Sequence, residues 1–224
     1  MRTAKRISHS LLDPWVTTPL RSLYPSLRLP RRLPPEAIVM GGNAAAAGAA
    51  GCFAVALHSP IAAVVGGLLT LLYHAADVFD GQHARATNQC RNGGELLDHL
   101  CDPVSLSLLA TAWAYAAGLP LLAIPAVLIV MTNGLLENLK AKLGADFEVG
   151  RFGPTEMKFA IATLMLLTAV LPLDAAHLML AWTFRASLAA GAIALPLQVV
   201  RAVRVVNASQ HRPDVSEWET RRAA

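Results

Sequence analysis

The stretch "DVFDGQHARATNQCRNGGELLDHLCD", residues 77–102, sets four aspartates, Asp77, Asp80, Asp98 and Asp102, between two long apolar runs. The chain around it has 224 residues, 54% of them hydrophobic and only 15% charged, with a mean hydropathy of +0.46. An aspartate at the middle of a bilayer helix costs on the order of 2.5–3.5 kcal/mol, so this cluster needs compensation. Its spacing supplies one. Asp77 and Asp80 are i,i+3 and Asp98 and Asp102 are i,i+4, so helical geometry puts each pair on one face. Two neighbouring helices can then aim all four carboxylates into one interfacial cavity.

Two unit charges about 4 Å apart repel by roughly 4 kcal/mol at an effective dielectric near 20, so the cluster calls for cations. All-oxygen ligation suits Mg²⁺, Mn²⁺ or Ca²⁺ better than a zinc site built on Cys or His. Two divalent ions would balance the four carboxylates and leave positions open for phosphate oxygens. The intervening residues also suit phosphate. Gly81 allows close backbone approach, Ala84 is small, Arg85 offers a guanidinium fork, and Gly93 and Gly94 leave space before the second pair.

Outward from this stretch the apolar residues come in blocks instead of helical or strand alternation. Six spans are expected, at about 37–57, 60–78, 103–119, 120–137, 157–173 and 180–205, each near the roughly 20 residues that cross hydrocarbon. The expected fold class is therefore all-α: a polytopic membrane protein with six transmembrane helices and an N-terminal interfacial amphipathic segment. The organisation follows as an N-terminal segment over 1–35, a six-helix membrane domain over 36–207 and a tail over 208–224. A soluble helical protein is disfavoured because runs such as "AVALHSPIAAVVGGLLTLLY" (54–73) carry no polar outer stripe. The Ala-rich "NAAAAGAAG" (43–51) reads as a close-packing helix face.

Lys and Arg gather before the first span, between spans two and three, between four and five, and after the last, which puts both termini and the aspartates on the cytoplasmic side. Arg185, beside Trp182, is expected to snorkel at the opposite interface. The N-terminus lacks the apolar core of a cleaved signal. Residues 5–29 instead mix basic side chains with Leu11, Leu12, Trp15, Leu20, Leu23 and Tyr24, suiting an anionic membrane surface. Topology and lipid contact account for the net charge of +4 without nucleic-acid binding. Cys52, Cys90 and Cys101 form no disulfide framework.

The whole pattern reads D-x-x-D-G-x-x-A-R, eight residues, then G-x-x-x-D-x-x-x-D, filled by Asp77, Asp80, Gly81, Ala84, Arg85, Gly94, Asp98 and Asp102. It resembles the signature of the CDP-alcohol phosphotransferase (CDP-alcohol phosphatidyltransferase) family. The resemblance implies an integral membrane enzyme of phospholipid biosynthesis that moves a phosphoalcohol from a CDP-linked donor to an acceptor hydroxyl and releases CMP. It implies Mg²⁺ or Mn²⁺, two ions, held by Asp77, Asp80, Asp98 and Asp102. Asp98 and Asp102 are the implied catalytic residues, with Asp102 as general base. Gly81, Ala84, Arg85 and Gly94 would frame the nucleotide and diphosphate, and the enzyme would be a homodimer.

Within that family, "ARAT" (84–87), "GELLDH" (94–99) and "GRFGPTE" (150–156) resemble the choline/ethanolamine branch, which implies a small CDP-amino alcohol as donor and a diacylglycerol-like lipid as acceptor. Six spans in a short chain instead resemble bacterial relatives that join CDP-diacylglycerol to a polar alcohol, and the compact size leads to the expectation of a bacterial cytoplasmic (inner) membrane. Pro35-Glu36-Ala37-Ile38-Val39 stands where Pro-Asn-x-x-Thr is common, a departure that bears on first-span contacts and donor identity. A divalent-cation transporter, with the aspartates binding a permeant ion, is the rival from another class. Around the cluster, His83 and His99 are candidate phosphate or substrate contacts, and Glu95 either positions an acceptor or starts helix three. Asn133, Glu137, Asn138, Arg151, Thr155 and Glu156 are candidates for an acceptor pocket. Lys140 and Lys158 are candidates for the same pocket, although for them, as for Lys142, a charge that sets topology is the favoured reading.

Overall fold

The computed structural model describes residues 6–143, 147–149 and 152–209. Arg2, Lys5, Gly150, Arg151, Arg212, Arg221 and Arg222 lie outside the described residues, as does the tail from 210 onward. The described chain is helical: α1 Thr17–Leu23, α2 Pro35–Ala54, α3 Pro60–Ala86, α4 Asn92–Ala116, α5 Ala123–Lys142, α6 Pro154–Thr168 and α7 Leu173–Asn207. The all-α expectation needs one addition. The strands β1 (Arg6–Ser8) and β2 (Phe147–Val149) pair in parallel, with Arg6 opposite Phe147 and Ser8 opposite Val149.

Prolines start half of the long helices, α2, α3 and α6. Pro35, Pro60 and Pro154 stand in first turns, where the missing N–H costs nothing and φ is already helical. Ser59 caps α3 by accepting the Ala62 N–H at 3.2 Å. α4 ends at Gly118, whose φ of +70° lets the chain leave the helix through the left-handed region.

Among the described residues, four segments are long and apolar enough to cross a membrane: Pro35–Ala54, Pro60–Ala86, Pro120–Lys142 and Leu173–Asn207. α4 and α6 occupy the places of the third and fifth expected spans. However, α4 carries Glu95, Asp98 and Asp102 in its first half, and the 15 residues of α6 rise only about 22 Å against a hydrocarbon core of roughly 30 Å. The outer faces are apolar and exposed, as with Leu121, Ile124, Leu128 and Leu135 along the α5 segment and Leu178, Trp182, Ile193 and Leu197 along α7. Exposed apolar surface of that extent marks an integral membrane protein.

α2 packs against α3 and α4, α3 against α6, α4 against α5, and α5 against α7. The contact face of α2 is Gly42, Ala45, Ala46, Ala49 and Phe53, all buried and spaced for one side of a helix. Small residues matter here because helices in lipid associate through close van der Waals contact. A Cβ on Gly66 of α3 would collide with Met165 Cε of α6 and come within 2.8 Å of Cys52 Cβ of α2. Gly66→Val is therefore expected to push three helices apart and lower stability by roughly 1–3 kcal/mol. Gly41→Ala, with nothing within 4 Å of the added carbon, should change little. Thermal unfolding in detergent compares the two; equal melting temperatures would refute the tight three-helix contact.

Candidate active site

The two helices that carry the aspartates run further than their apolar spans. α3 continues past residue 78 to Ala86, and α4 begins at Asn92 instead of 103. Only Thr87–Arg91 join them, with Asn88 in the left-handed region at φ 59°, a conformation Asn tolerates. The Gln89 side chain fastens this turn to the N-terminal segment, donating to the Arg31 carbonyl at 2.9 Å and the Leu33 carbonyl at 3.2 Å. Thus Asp77, Asp80, Gly81, Ala84 and Arg85 are all helical, and Gly93 and Gly94 form the first turn of α4.

Asp77 and Asp80 of α3, Asp98 and Asp102 of α4, and Val39, Gly42 and Asn43 of α2 line one small cleft, partly open to solvent. Tyr73, one turn before Asp77, and Cys101, beside Asp102, complete its wall. Pro103 follows Asp102 inside α4. Its ring lies where Gly134 of α5 leaves space, since a Cβ there would stand 3.0 Å from Pro103 Cβ. Asn43 is held in place, donating to the Val39 carbonyl at 2.8 Å and accepting from Ser105 Oγ.

The structure gathers the four aspartates but leaves the other signature residues outside the cleft lining. Arg85 is exposed and folds back over Gly81: a Cβ there would be 3.3 Å from the guanidinium. The Gly81 N–H donates to Asp80 Oδ1. Gly94 faces Glu36, which pairs with Arg91 at 3.2 Å. Among the described residues, no three Asp, Glu, His or Cys side chains converge as ligands on one point.

The pairing of Lys158 with the aspartates is what the sequence reading missed. It lies on α6, is 0% exposed, and places Nζ 2.9 Å from Asp77 Oδ2 and 2.9 Å from Asp102 Oδ1. The Tyr73 ring sits beneath the ammonium, 4.1 Å from its centroid, and the Tyr73 hydroxyl donates to Asp102 Oδ1. A lone buried ammonium would be severely penalised; between two carboxylates it is compensated and they are held together. The favoured reading of Lys158 as a topology-setting charge is thereby corrected: it pairs with the aspartates of the cleft. The available signal was a lone lysine among Met157, Phe159, Ala160 and Ile161.

The segment "GPTE" fixes the start of that helix. Glu156 Oε2 accepts the Gly153 N–H at 2.8 Å, while Oε1 accepts from Ser10 Oγ at 2.5 Å and the Leu12 N–H at 3.1 Å. Thr155 and Thr17 hydroxyls each donate to Asp13 Oδ1 at 2.8 Å. Thr155 and Glu156 thus tie residues 8–17 to α6, two positions from Lys158. Burial raises the Asp13 carboxyl, but hydrogen bonds from Ser8, Thr17, Thr155 and Ser10 outweigh it and hold the group below its ordinary range. A carboxylate depressed in the folded state contributes stability that is present above its unfolded value and lost as pH falls through the folded one. Acidification from about pH 5 toward 3 should therefore expose residues 8–17 to protease in the wild type. Asp13→Asn should be exposed already at neutral pH, and equal cleavage of the two proteins at pH 7 would refute the tether.

His83, a candidate substrate contact, is buried and fully engaged. The Leu33 carbonyl, 2.8 Å from Nε2, can only accept, so the neutral ring carries its proton on Nε2, and Nδ1 accepts from the Tyr24 hydroxyl at 2.8 Å. It fastens the N-terminal segment to α3. Glu137 pairs with Lys140 at 3.0 Å, and Asn138 donates to the Gly134 carbonyl. Arg185 lies over the Trp182 ring, 5.6 Å from its centroid. All three cysteines are free.

Four carboxylates of α3 and α4 around one cleft, two of them paired with a buried lysine of α6, give this integral membrane protein an acidic polar site. The chain belongs to the CDP-alcohol phosphatidyltransferase family, whose model matches residues 44–201 and so takes in the whole cleft motif. It is also similar to cholinephosphotransferase 1 of Gallus gallus, 37% identical over 102 residues, covering 43% of this chain and 30% of that protein. Cholinephosphotransferase 1 of Homo sapiens is 44% identical over 48 residues, covering 21% of this chain and 12% of that protein. The chain thus matches less than a third of the length of either relative.

Proposed function

We propose that the protein is a membrane-embedded phosphotransferase of phospholipid synthesis that transfers a phosphoalcohol from a CDP-linked donor to a lipid hydroxyl and releases CMP. The observation that carries this reading is the gathering of Asp77, Asp80, Asp98 and Asp102 around one cleft in a chain of this family. Family membership leaves the cation-transporter reading without support. Likeness to two cholinephosphotransferases favours a CDP-choline-like or CDP-ethanolamine-like donor and a diacylglycerol acceptor over CDP-diacylglycerol with a polar alcohol. Those relatives come from chicken and human, which gives the expectation of a bacterial inner membrane no support.

The donor set fits a hard divalent cation, since four carboxylates from α3 and α4 line the cleft and outnumber the Tyr73 hydroxyl and Cys101 thiol beside them. Asp77, Asp80, Asp98 and Asp102 would hold Mg²⁺ or Mn²⁺, which would neutralise charge on the diphosphate and on departing CMP. The chain's own residues do the rest. Asp102 takes the proton of the acceptor hydroxyl; both Tyr73 and Lys158 contact Oδ1, so Oδ2 is assigned to that proton. The acceptor oxygen attacks the β-phosphorus, the bond to the bridging oxygen breaks, and CMP leaves with that oxygen. Gly81, Ala84, Arg85 and Gly94 frame the nucleotide. Arg85, now folded over Gly81, has the reach of a long side chain and a fork suited to phosphate.

In this reading α4 and α6 also cross the bilayer, shielded within the six-helix domain of 36–207, with the N-terminal segment of 1–35 at the interface. The site and both termini face the cytoplasm. Exposed Leu11, Trp15, Leu23 and Leu27 rest on lipid, and two copies form a homodimer. Label from the head group of CDP-choline or CDP-ethanolamine should pass into extractable lipid when diacylglycerol is supplied. Transfer only from CDP-diacylglycerol to water-soluble alcohols would reverse the donor assignment.

A further inference from the structure

Resting on the cation site just assigned, we propose that Lys158 is a built-in competitor of the divalent ion, and that its grip on Asp77 and Asp102 sets the cation concentration at which the site loads. The ammonium stands 2.9 Å from one oxygen of each carboxylate. A hard divalent ion needs carboxylate oxygens at roughly 2.0–2.6 Å, and a fixed positive charge beside those same oxygens opposes it.

The arrangement is built into the fold. Lys158 belongs to α6, whereas its partners belong to α3 and α4. The start of α6 is fastened by Glu156 to Ser10 and Leu12, so the backbone beneath the lysine is anchored. The Tyr73 ring faces the ammonium and the Tyr73 hydroxyl holds the same Asp102 oxygen, favouring this position of the side chain over others. Cation entry therefore requires the flexible lysine stem to swing away and give up two charge-assisted hydrogen bonds and a cation–π contact. Asp80 and Asp98, which have no ion pair with Lys158 within bonding distance among the described residues, are the carboxylates through which an ion first enters.

The test titrates Mn²⁺ into purified full-length protein in detergent, reading free Mn²⁺ by electron paramagnetic resonance, with thermal unfolding in chelator as the second readout. Lys158→Met should bind Mn²⁺ at least roughly tenfold more tightly than wild type because the opposing charge is gone. In chelator it should unfold at a lower temperature, because two carboxylates are left facing each other. Lys158→Arg keeps the charge, and its planar fork should hold both carboxylates at least as firmly, so its Mn²⁺ affinity should be no greater than that of wild type. Recovery of folded Lys158→Met only when Mn²⁺ is present would also support the proposal. Unchanged or weaker Mn²⁺ binding by Lys158→Met would overturn it while leaving the cation site standing. If Lys158→Met cannot be recovered at all, tighter Mn²⁺ binding by Lys158→Arg would overturn it. Absence of Mn²⁺ binding by wild type and both variants would overturn the cation site and this proposal together.

Discussion

Asp102→Asn is expected to lower CMP release by roughly 10²–10⁴-fold, the usual contribution of a positioned general base, in a protein that still folds. The amide keeps the size of the side chain and retains one carbonyl oxygen to accept from Tyr73 and Lys158, whose bonds both fall on Oδ1. It loses the charge and the ability to take a proton. Asp98→Asn is the companion variant. Asp98 lines the same cleft but has no ion pair with Lys158 within 4.0 Å, so its loss of turnover should come with a smaller change in stability. Initial rates of CMP release, alongside melting curves for each variant, separate chemistry from folding. Near-wild-type rates in both variants would refute the assigned roles.

Removal of divalent cations should have an effect of comparable size. Chelation is expected to bring CMP release to background, and excess Mg²⁺ or Mn²⁺ should restore it. The donor's diphosphate and the cleft are both negative, so without added cations the substrate approaches four carboxylates that, among the described residues, are ion-paired only with Lys158. Two like charges about 4 Å apart cost roughly 4 kcal/mol at an effective dielectric near 20, which is ample to prevent productive binding. Full activity in excess chelator would remove divalent ions from the reaction.

The acidic pairs were legible because their spacing matches the helical repeat and because an apolar chain cannot leave four carboxylates unexplained. The small-residue face of α2 was equally legible from composition. The helix ends were not. Apolar runs mark only the lipid-facing lengths, whereas α3 continues through Gly81 and Arg85 to Ala86 and α4 already starts at Asn92. The pairing of β1 with β2 escaped notice because three-residue segments carry no readable alternation.

Lys158 was hidden for another reason: Asp77 lies 81 residues away and Asp102 lies 56 away, so no local pattern connects them. The roles of His83, Thr155 and Glu156 likewise depend on partners in the N-terminal segment, at Tyr24, Leu33, Asp13 and Ser10. Polar residues near a site were visible in the sequence. Whether they face substrate or brace the scaffold is set by the tertiary contacts.

The most direct test of the phosphotransferase reading is CMP release by the purified wild-type protein with Mg²⁺ or Mn²⁺. CDP-choline or CDP-ethanolamine plus diacylglycerol should be compared with CDP-diacylglycerol plus a panel of polar alcohols. Cation-dependent CMP, released in step with acceptor consumption from the first set, is the expected result. No CMP from any pairing, by protein shown to be folded and to bind the cation, would contradict it.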